Sequence, residues 1–341
     1  MTPTTTQPRR DNVLDILKFV AIFMVVNGHT YQYSGSDIAS LDMAFIKFST
    51  ITQMPLFAFI SGYVSFRSIT TQPLWRGTLK SRWYSLIRPM IIFCLIWAVI
   101  NLIFYIPKPI GAWEIVDATL FSIKSSYWFI WIVIYCIILG YLATKWGGIL
   151  YMLLLIALLQ VVPDSTSIPP FIGFLKAMLP FFFGGMLFKQ HNLFDKLKQH
   201  KLVSMMIAAT ILAIGYALYR GSHTFYFFPD LSIEQHIAFY ALMQFAGFAS
   251  IIICYFIAHW IDQKVGNSRM MSVVKYLGGF TFAIYMLQGL VFAIMRQHAI
   301  NIESQWMQLL LSLSIFTTLC LLVFGMSKSR LLSRLLLGKM R

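Results

Sequence analysis

The chain has 341 residues, of which 58% are hydrophobic and only 11% are charged. Soluble domains usually carry about 25% charged residues, so a water-soluble fold could not hide this much apolar surface. The formal net charge of +15 would suit nucleic-acid binding only if the basic residues formed a continuous polar face, and here they lie in short segments between apolar runs. We therefore predict an integral membrane protein and expect no nucleic-acid partner.

The apolar runs predict ten transmembrane helices, because one bilayer span needs roughly 20 mostly apolar residues. The predicted spans cover residues 13–32, 43–66, 89–107, 127–144, 148–163, 171–188, 202–219, 237–259, 276–297 and 305–326. The shortest run, 148–163, could instead be re-entrant, which would reduce the count to nine. Neither an internal repeat nor a long polar segment is visible, so we predict one all-α domain over residues 1–341.

The basic residues indicate how these spans are oriented. If the N-terminus is cytoplasmic, most of the 27 Lys and Arg residues fall in segments that face the cytoplasm, including the short N-terminus 1–12 and the basic tail 327–341. The positive-inside rule therefore favours ten spans with both termini in the cytoplasm. The four cysteines lie inside apolar runs without CxxC or Cys/His spacing, so we expect neither a disulfide framework nor a metal site.

Three ionisable residues occupy the first predicted helix: Asp15, Lys18 and His29. At about 100° per residue, the eleven steps from Lys18 to His29 return to nearly the same helix face, roughly 16 Å along the axis. Ionisable groups within a span usually face a polar interior or a wet cavity. A simpler interpretation is that Asp15 and Lys18 form an i,i+3 pair at the interface and that His29 ends the helix among the headgroups.

This stretch resembles the opening of the acyltransferase-3 family, whose first helix reads approximately Leu-Asp-x-Leu-Arg, an apolar run, and His. Here residues 14–18 read Leu-Asp-Ile-Leu-Lys and are followed by His29, with Lys18 in place of the arginine. The run Met-Pro-Leu-Phe-Ala-Phe-Ile-Ser-Gly-Tyr at 54–63 is similar to a motif of the sugar O-acetylase branch. Further matching segments follow in the expected order at 82–89, 127–129, 180–185 and 281–288.

The resemblance implies a membrane O-acyltransferase. Such an enzyme would move an acetyl or other short acyl group from cytoplasmic acyl-CoA, commonly acetyl-CoA, to a hydroxyl of an extracytoplasmic glycan or lipid-linked sugar. It further implies a protein of a plasma (inner) membrane, expected to be bacterial, with acyl-CoA as co-substrate and no metal. Whether two copies form a homodimer is left open.

The resemblance also implies roles for individual residues. His29 is the expected general base. Relatives often carry histidine at two further positions, where this chain has Gln53 and Gln288, and glutamine cannot accept a proton near neutral pH. His29 is therefore the leading candidate for the base. The residues expected to bind the donor are Asp15, Lys18, Arg82 and Arg88. Those expected to line the substrate site are Asn27, Gln53, Ser61, Tyr285 and Gln288.

Two of these roles have structural alternatives. Ser61-Gly62 lacks a GxSxG elbow, so close helix packing at this pair is favoured over a nucleophilic serine. Arg82 and Arg88 could simply be positive-inside charge instead of phosphate ligands. At the level of the whole protein, the alternative function is a transporter or flippase for a glycan or small solute, since many transporters combine about ten spans with intramembrane charges.

Overall fold

A computed structural model of the chain describes residues 11–34, 44–105, 111–125, 127–161, 170–219, 233–298, 300–302 and 304–338. Throughout these segments the regular structure is helical and no strand occurs. The prediction of an all-α membrane bundle is confirmed. Residues 1–10 and 339–341, which belong to the predicted N-terminal segment and basic tail, lie outside the described part of the chain.

The helices follow the apolar runs of the sequence. In chain order they are α1 (Asn12–Ser34), α2 (Ala44–Thr71), α3 (Arg88–Tyr105), α4 (Ala112–Ser125), α5 (Trp128–Trp146), α6 (Gly148–Val161), α7 (Pro170–Gln190), α8 (Leu193–Gln199), α9 (Lys201–Leu218), α10 (Ile233–Val265), α11 (Arg269–Gly278), α12 (Thr281–Gln297), α13 (Gln305–Lys328) and α14 (Arg330–Leu335). Two π-helical stretches, Leu74–Leu79 and Trp83–Ile87, flank Lys80–Arg82 between α2 and α3. We call residues 74–87 the linker helix.

Within the described residues, nine of the ten predicted spans each coincide with one helix and the span 276–297 coincides with the bent pair α11–α12, but not every helix meets the requirements of a span. In the described segments, seven helices are long and apolar enough to cross a membrane, or eight if the bent pair α11–α12 forms one span. At 28 residues, α2 is about 42 Å long, but its many Ser, Thr and Gln residues lower its hydropathy. By contrast, α6 has only 14 residues. The count of ten spans and the cytoplasmic position of both termini therefore stay predictions.

Two features of the bundle were not predicted from the apolar runs. The predicted span 276–297 is broken, and its two parts, α11 and α12, meet at an angle of 73°. In addition, α4 follows α3 as an amphipathic helix that packs against it.

At the start of α5, the Tyr127 hydroxyl donates a hydrogen bond to the Met286 carbonyl of α12 over 3.0 Å. The beginning of α5 is thereby fixed to the inner face of α12.

The first helix lies in the middle of the bundle. It packs against α2, α10, α11, α12 and α13, and most of its residues are buried. In contrast, α9 lies at the rim with most of its side chains exposed, as expected for a helix that faces lipid. The helix with the three ionisable residues is therefore surrounded by protein, which agrees with the cost of placing such groups in hydrocarbon.

Two glycines bring α2 and α7 into backbone contact. A Cβ atom at Gly62 would overlap the carbonyl oxygen of Phe182, and a Cβ atom at Gly185 would overlap that of Phe59. Small residues at such crossings allow close helix approach where lipid supplies no hydrophobic driving force. The packing interpretation of Gly62 agrees with this geometry, and the crossing fixes the face of α2 that carries Ser61.

We expect Gly185→Ala to lower the thermal stability of the purified protein in detergent. The added methyl group must push α2 away from α7, and overpacking of this kind typically costs about 1–3 kcal/mol. The matched control is Gly173→Ala on the same helix, where a Cβ atom would meet nothing within 4 Å. That variant should keep or slightly raise the melting temperature, because alanine is the better helix former. Equal melting temperatures for the two variants would contradict this account of the crossing.

Candidate active site

A cavity of about 160 Å³ lies between α1, α2, α5 and α12. Its polar lining comes from Lys18, Ser61, Thr281 and Tyr285, and the remaining lining residues are apolar. Three of the residues expected at the site, Lys18, Ser61 and Tyr285, therefore meet here although they come from three different helices. Thr281 was not among the residues expected at the site. It reaches the cavity because the break between α11 and α12 brings the first turn of α12 to the cavity wall.

Lys18 is held by Asp15 at the start of α1. The Lys18 ammonium lies 3.3 Å from the Asp15 carboxylate, and Asp15 is 4% exposed. The backbone carbonyl of Asp15 lies where a Cβ atom on Gly278 would be, so α11 packs directly on the first turn of α1. The predicted i,i+3 geometry is present. Asp15 therefore positions Lys18, and only Lys18 lines the cavity.

His29 lies one helical turn beyond the cavity, on the same face of α1. Val25, four residues earlier, lines the cavity, and residues four apart are neighbours on a helix surface. The imidazole ring packs 5.5 Å from the ring of Phe292 and 6.1 Å from that of Tyr33, measured between centroids. Its Nδ1 atom is buried and has no hydrogen-bond partner among the described residues. An unsatisfied buried nitrogen is costly, so this position suits a polar ligand.

Gln288 connects the cavity to His29 along α12. It lies between Tyr285, which lines the cavity, and Phe292, which packs against His29. The side chain is 2% exposed, and its Oε1 atom has no hydrogen-bond partner within the described segments. A second buried acceptor thus lies on the helix that covers the imidazole. Buried polar atoms are usually hydrogen-bonded, so both positions suit a polar partner such as a hydroxyl group.

Asn27 of α1 and Gln53 of α2 lie close to the cavity in the sequence but do not line it. The Asn27 amide donates a hydrogen bond to the Ser312 hydroxyl of α13 over 2.9 Å. Gln53 accepts one from Ser49 at 3.2 Å, and its amide lies against Gly28. Asn27 therefore faces α13, whereas Gln53 marks the level at which α2 passes the His29 half of α1.

The two candidate phosphate ligands occupy different surroundings. Arg82 donates to the Ser65 hydroxyl over 2.9 Å, one turn along α2 from Ser61, so its guanidinium lies beside the cavity. Arg88 donates to the backbone carbonyl of Arg334 and lies 5.3 Å from the ring of Tyr84. Sequence spacing could not separate these roles. Arg82 is near the candidate donor site, and Arg88 is engaged in docking the C-terminal helix α14.

The described residues contain no group of three or more His, Cys, Asp or Glu side chains that could hold a metal ion. Cys94, Cys136 and Cys254 are buried free thiols in the bundle. The polar chemistry available at the site is therefore that of one ammonium, one imidazole, and a few hydroxyl and amide groups. The cavity walls between them are apolar.

Comparisons with known proteins agree with the motif resemblance. The acyltransferase-3 family model, described as an acyltransferase domain, matches residues 11–325. The nodulation protein NolL of Mesorhizobium japonicum is 28% identical over 301 residues, which cover 84% of this chain and 78% of that protein. No solved structure gives a significant match. Because the family model spans nearly the whole helical bundle, this chain belongs to the acyltransferase-3 family and is an integral membrane acyltransferase.

Proposed function

We propose that the protein is an O-acyltransferase that moves an acetyl or other short acyl group from cytoplasmic acyl-CoA to a hydroxyl of an extracytoplasmic glycan or lipid-linked sugar. The observation that carries the proposal is the face of α1, on which Lys18 lines an apolar cavity and the half-buried imidazole of His29, with its Nδ1 atom buried, follows one turn beyond it. In a bacterium the protein would lie in the plasma membrane, where donor and acceptor are on opposite sides.

The donor side of the proposal rests on the volume and polarity of the cavity. A small, mostly apolar space with a few polar groups suits the thioester end of the flexible arm of an acyl-CoA, with the thioester pointing toward His29. The charged nucleotide would stay on the side predicted to be cytoplasmic, near Arg82 and Lys18. Guanidinium groups bind phosphate with paired hydrogen bonds, and ammonium groups bind it as point charges. With this arrangement the cofactor need not cross the bilayer.

The chemistry rests on His29 as a general base. Neutral His29 accepts the proton of the acceptor hydroxyl while that oxygen attacks the thioester carbonyl. The carbon–sulfur bond then breaks, and the CoA thiolate leaves and takes up the proton from the imidazole. General base catalysis of this kind contributes typically 10²–10⁴-fold, or about 3–5 kcal/mol. A two-step route through an acylated imidazole would use the same residue as nucleophile.

The recognition of the acyl acceptor rests on two buried polar atoms, one on His29 and one on Gln288. The Oε1 atom of Gln288 and the Nδ1 atom of His29 have no partner among the described residues, and hydroxyl groups are the donors that a sugar offers. Gln288 would hold one hydroxyl while His29 acts on another. A polyhydroxylated acceptor therefore suits this end of the site better than the apolar cavity does.

We expect His29→Ala to abolish acyl transfer without unfolding the protein. The assay is release of the free CoA thiol from acetyl-CoA by purified protein, together with the mass of cell-envelope glycans, where the wild type should add an acetyl increment. The matched control is His259→Ala, because His259 stacks on Tyr255 in α10, away from the cavity. Full activity of the His29 variant would contradict the proposed role. If the protein were a transporter, even the wild type would release no free thiol from acetyl-CoA.

We expect Lys18→Ala to weaken the use of the donor while affecting the acceptor little. Removing the ammonium from the cavity wall should raise the KM for acetyl-CoA, and Lys18→Arg should restore it, because relatives carry arginine at this position. The comparison variant is Lys201→Ala at the exposed start of α9. An unchanged KM for acetyl-CoA in Lys18→Ala would remove Lys18 from the donor site.

We expect Gln288→Leu to raise the KM for the acceptor by about 3- to 10-fold, the effect of one lost hydrogen bond, while the KM for acetyl-CoA stays the same. A merely structural role would instead lower the amount of active protein and leave both KM values unchanged. Gln244→Leu serves as the matched control, because Gln244 lies on α10 and donates to the Ala177 carbonyl. Equal shifts in both variants would contradict a contact between Gln288 and the acceptor.

A further inference from the structure

We infer that the cavity between α1, α2, α5 and α12 limits the transferred acyl group to about two carbons, and that Val25 and Met54 set this limit. The inference rests on the proposed function, because it assumes that the cavity holds the thioester end of an acyl-CoA. It adds to that function the residues that select among donors.

The volume of the cavity matches the thioester end of acetyl-CoA. The cavity measures about 160 Å³, and an apolar protein cavity of about 150 Å³ holds one benzene molecule, which has six heavy atoms. The end of acetyl-CoA also has six heavy atoms: two methylene carbons, the sulfur, the carbonyl carbon and oxygen, and the methyl carbon. A butyryl group adds two carbons, which would press on the buried side chains of Val25 and Met54, and displacing a packed wall typically costs about 1–3 kcal/mol.

The lining of the cavity is mostly apolar. Apart from Lys18, the described polar groups of the lining are the hydroxyls of Ser61, Thr281 and Tyr285. A sugar ring would lose several hydrogen bonds to water here, so the acceptor does not suit this space. A carboxylate-bearing acyl group such as succinyl is disfavoured as well, because its carboxylate would lie near Val25 and Met54, roughly 10 Å along α1 from the Lys18 ammonium, where the lining is apolar. An uncharged, short acyl group fits best.

The end of the cavity toward His29 is the one that would receive the acyl group. Gly28 lies against the side chain of Gln53, and Ser49 donates to the Met24 carbonyl, so this part of α2 runs level with the His29 half of α1. Among the lining residues of α1 and α2, Val25 and Met54 are the nearest to that level. Both are buried, at 2% and 6% exposure, and they form the wall that an acyl chain near His29 would meet.

The test compares donors of increasing length on matched variants. We would measure kcat/KM for thiol release from acetyl-CoA, butyryl-CoA and hexanoyl-CoA, and the melting-temperature shift that each donor produces. Met54→Ala removes three heavy atoms from the wall and should raise the butyryl-to-acetyl ratio of kcat/KM by at least about tenfold. Met54→Leu conserves volume and should keep the acetyl preference. Met178→Ala makes the same chemical change at a buried residue of α7 that does not line the cavity, and should leave the ratio unchanged.

Val25→Ala provides a second route to the same enlargement if Met54→Ala does not fold. A wild type that uses acetyl and butyryl donors equally well, or variants at both positions that keep the wild-type ratio, would overturn the inference while leaving the proposed acyl transfer intact. A wild type that neither binds nor cleaves any acyl-CoA would overturn the proposed function, and the chain-length inference with it.

Discussion

The bundle is organised by the need to keep polar and ionisable groups of α1 away from lipid. An ionisable side chain within hydrocarbon is costly, so such residues face other helices, a cavity or each other. Asp15 satisfies this requirement by pairing with Lys18 while α11 packs on its backbone carbonyl. His29 satisfies it by lying under the aromatic rings of Phe292 and Tyr33. The helix that carries all three residues is consequently central, and the other elements are arranged around it.

Close helix packing makes this central position possible. Glycines at the α2–α7 crossing and at Gly278 bring backbones together without intervening side chains, which is how helices associate where lipid removes the hydrophobic driving force. The break between α11 and α12 has a related effect. By turning the chain through 73°, it lets α11 pack on the first turn of α1 while Thr281 and Tyr285 of α12 reach the cavity. A straight helix could not do both.

The sequence predicts elements formed by local apolar content better than it predicts their three-dimensional partners. Every predicted span is helical where the structure describes it, because hydropathy over roughly 20 residues is a local property. The break in the ninth span and the amphipathic α4 were missed: the first depends on packing against α1, and the second has acidic residues that lower its hydropathy. Among the candidate site residues, Lys18, Ser61 and Tyr285 converge on one cavity. The separate surroundings of Arg82 and Arg88 depend on Ser65 and Arg334, which are far away in sequence, so spacing carried no signal for them.

The offset of one helical turn between the cavity and His29 suits the proposed reaction, in which the two substrates come from opposite sides of a membrane. A donor arm and a hydrophilic acceptor require different surroundings, because burying sugar hydroxyls without partners is costly and an apolar acyl chain gains from leaving water. A single mixed site would compromise both. Here Val25 is the last residue of α1 that lines the apolar cavity, and one turn further lie buried atoms of His29 and Gln288 that have no hydrogen-bond partner among the described residues. The place where the two environments meet is where a hydroxyl oxygen and a thioester carbon would have to come into contact.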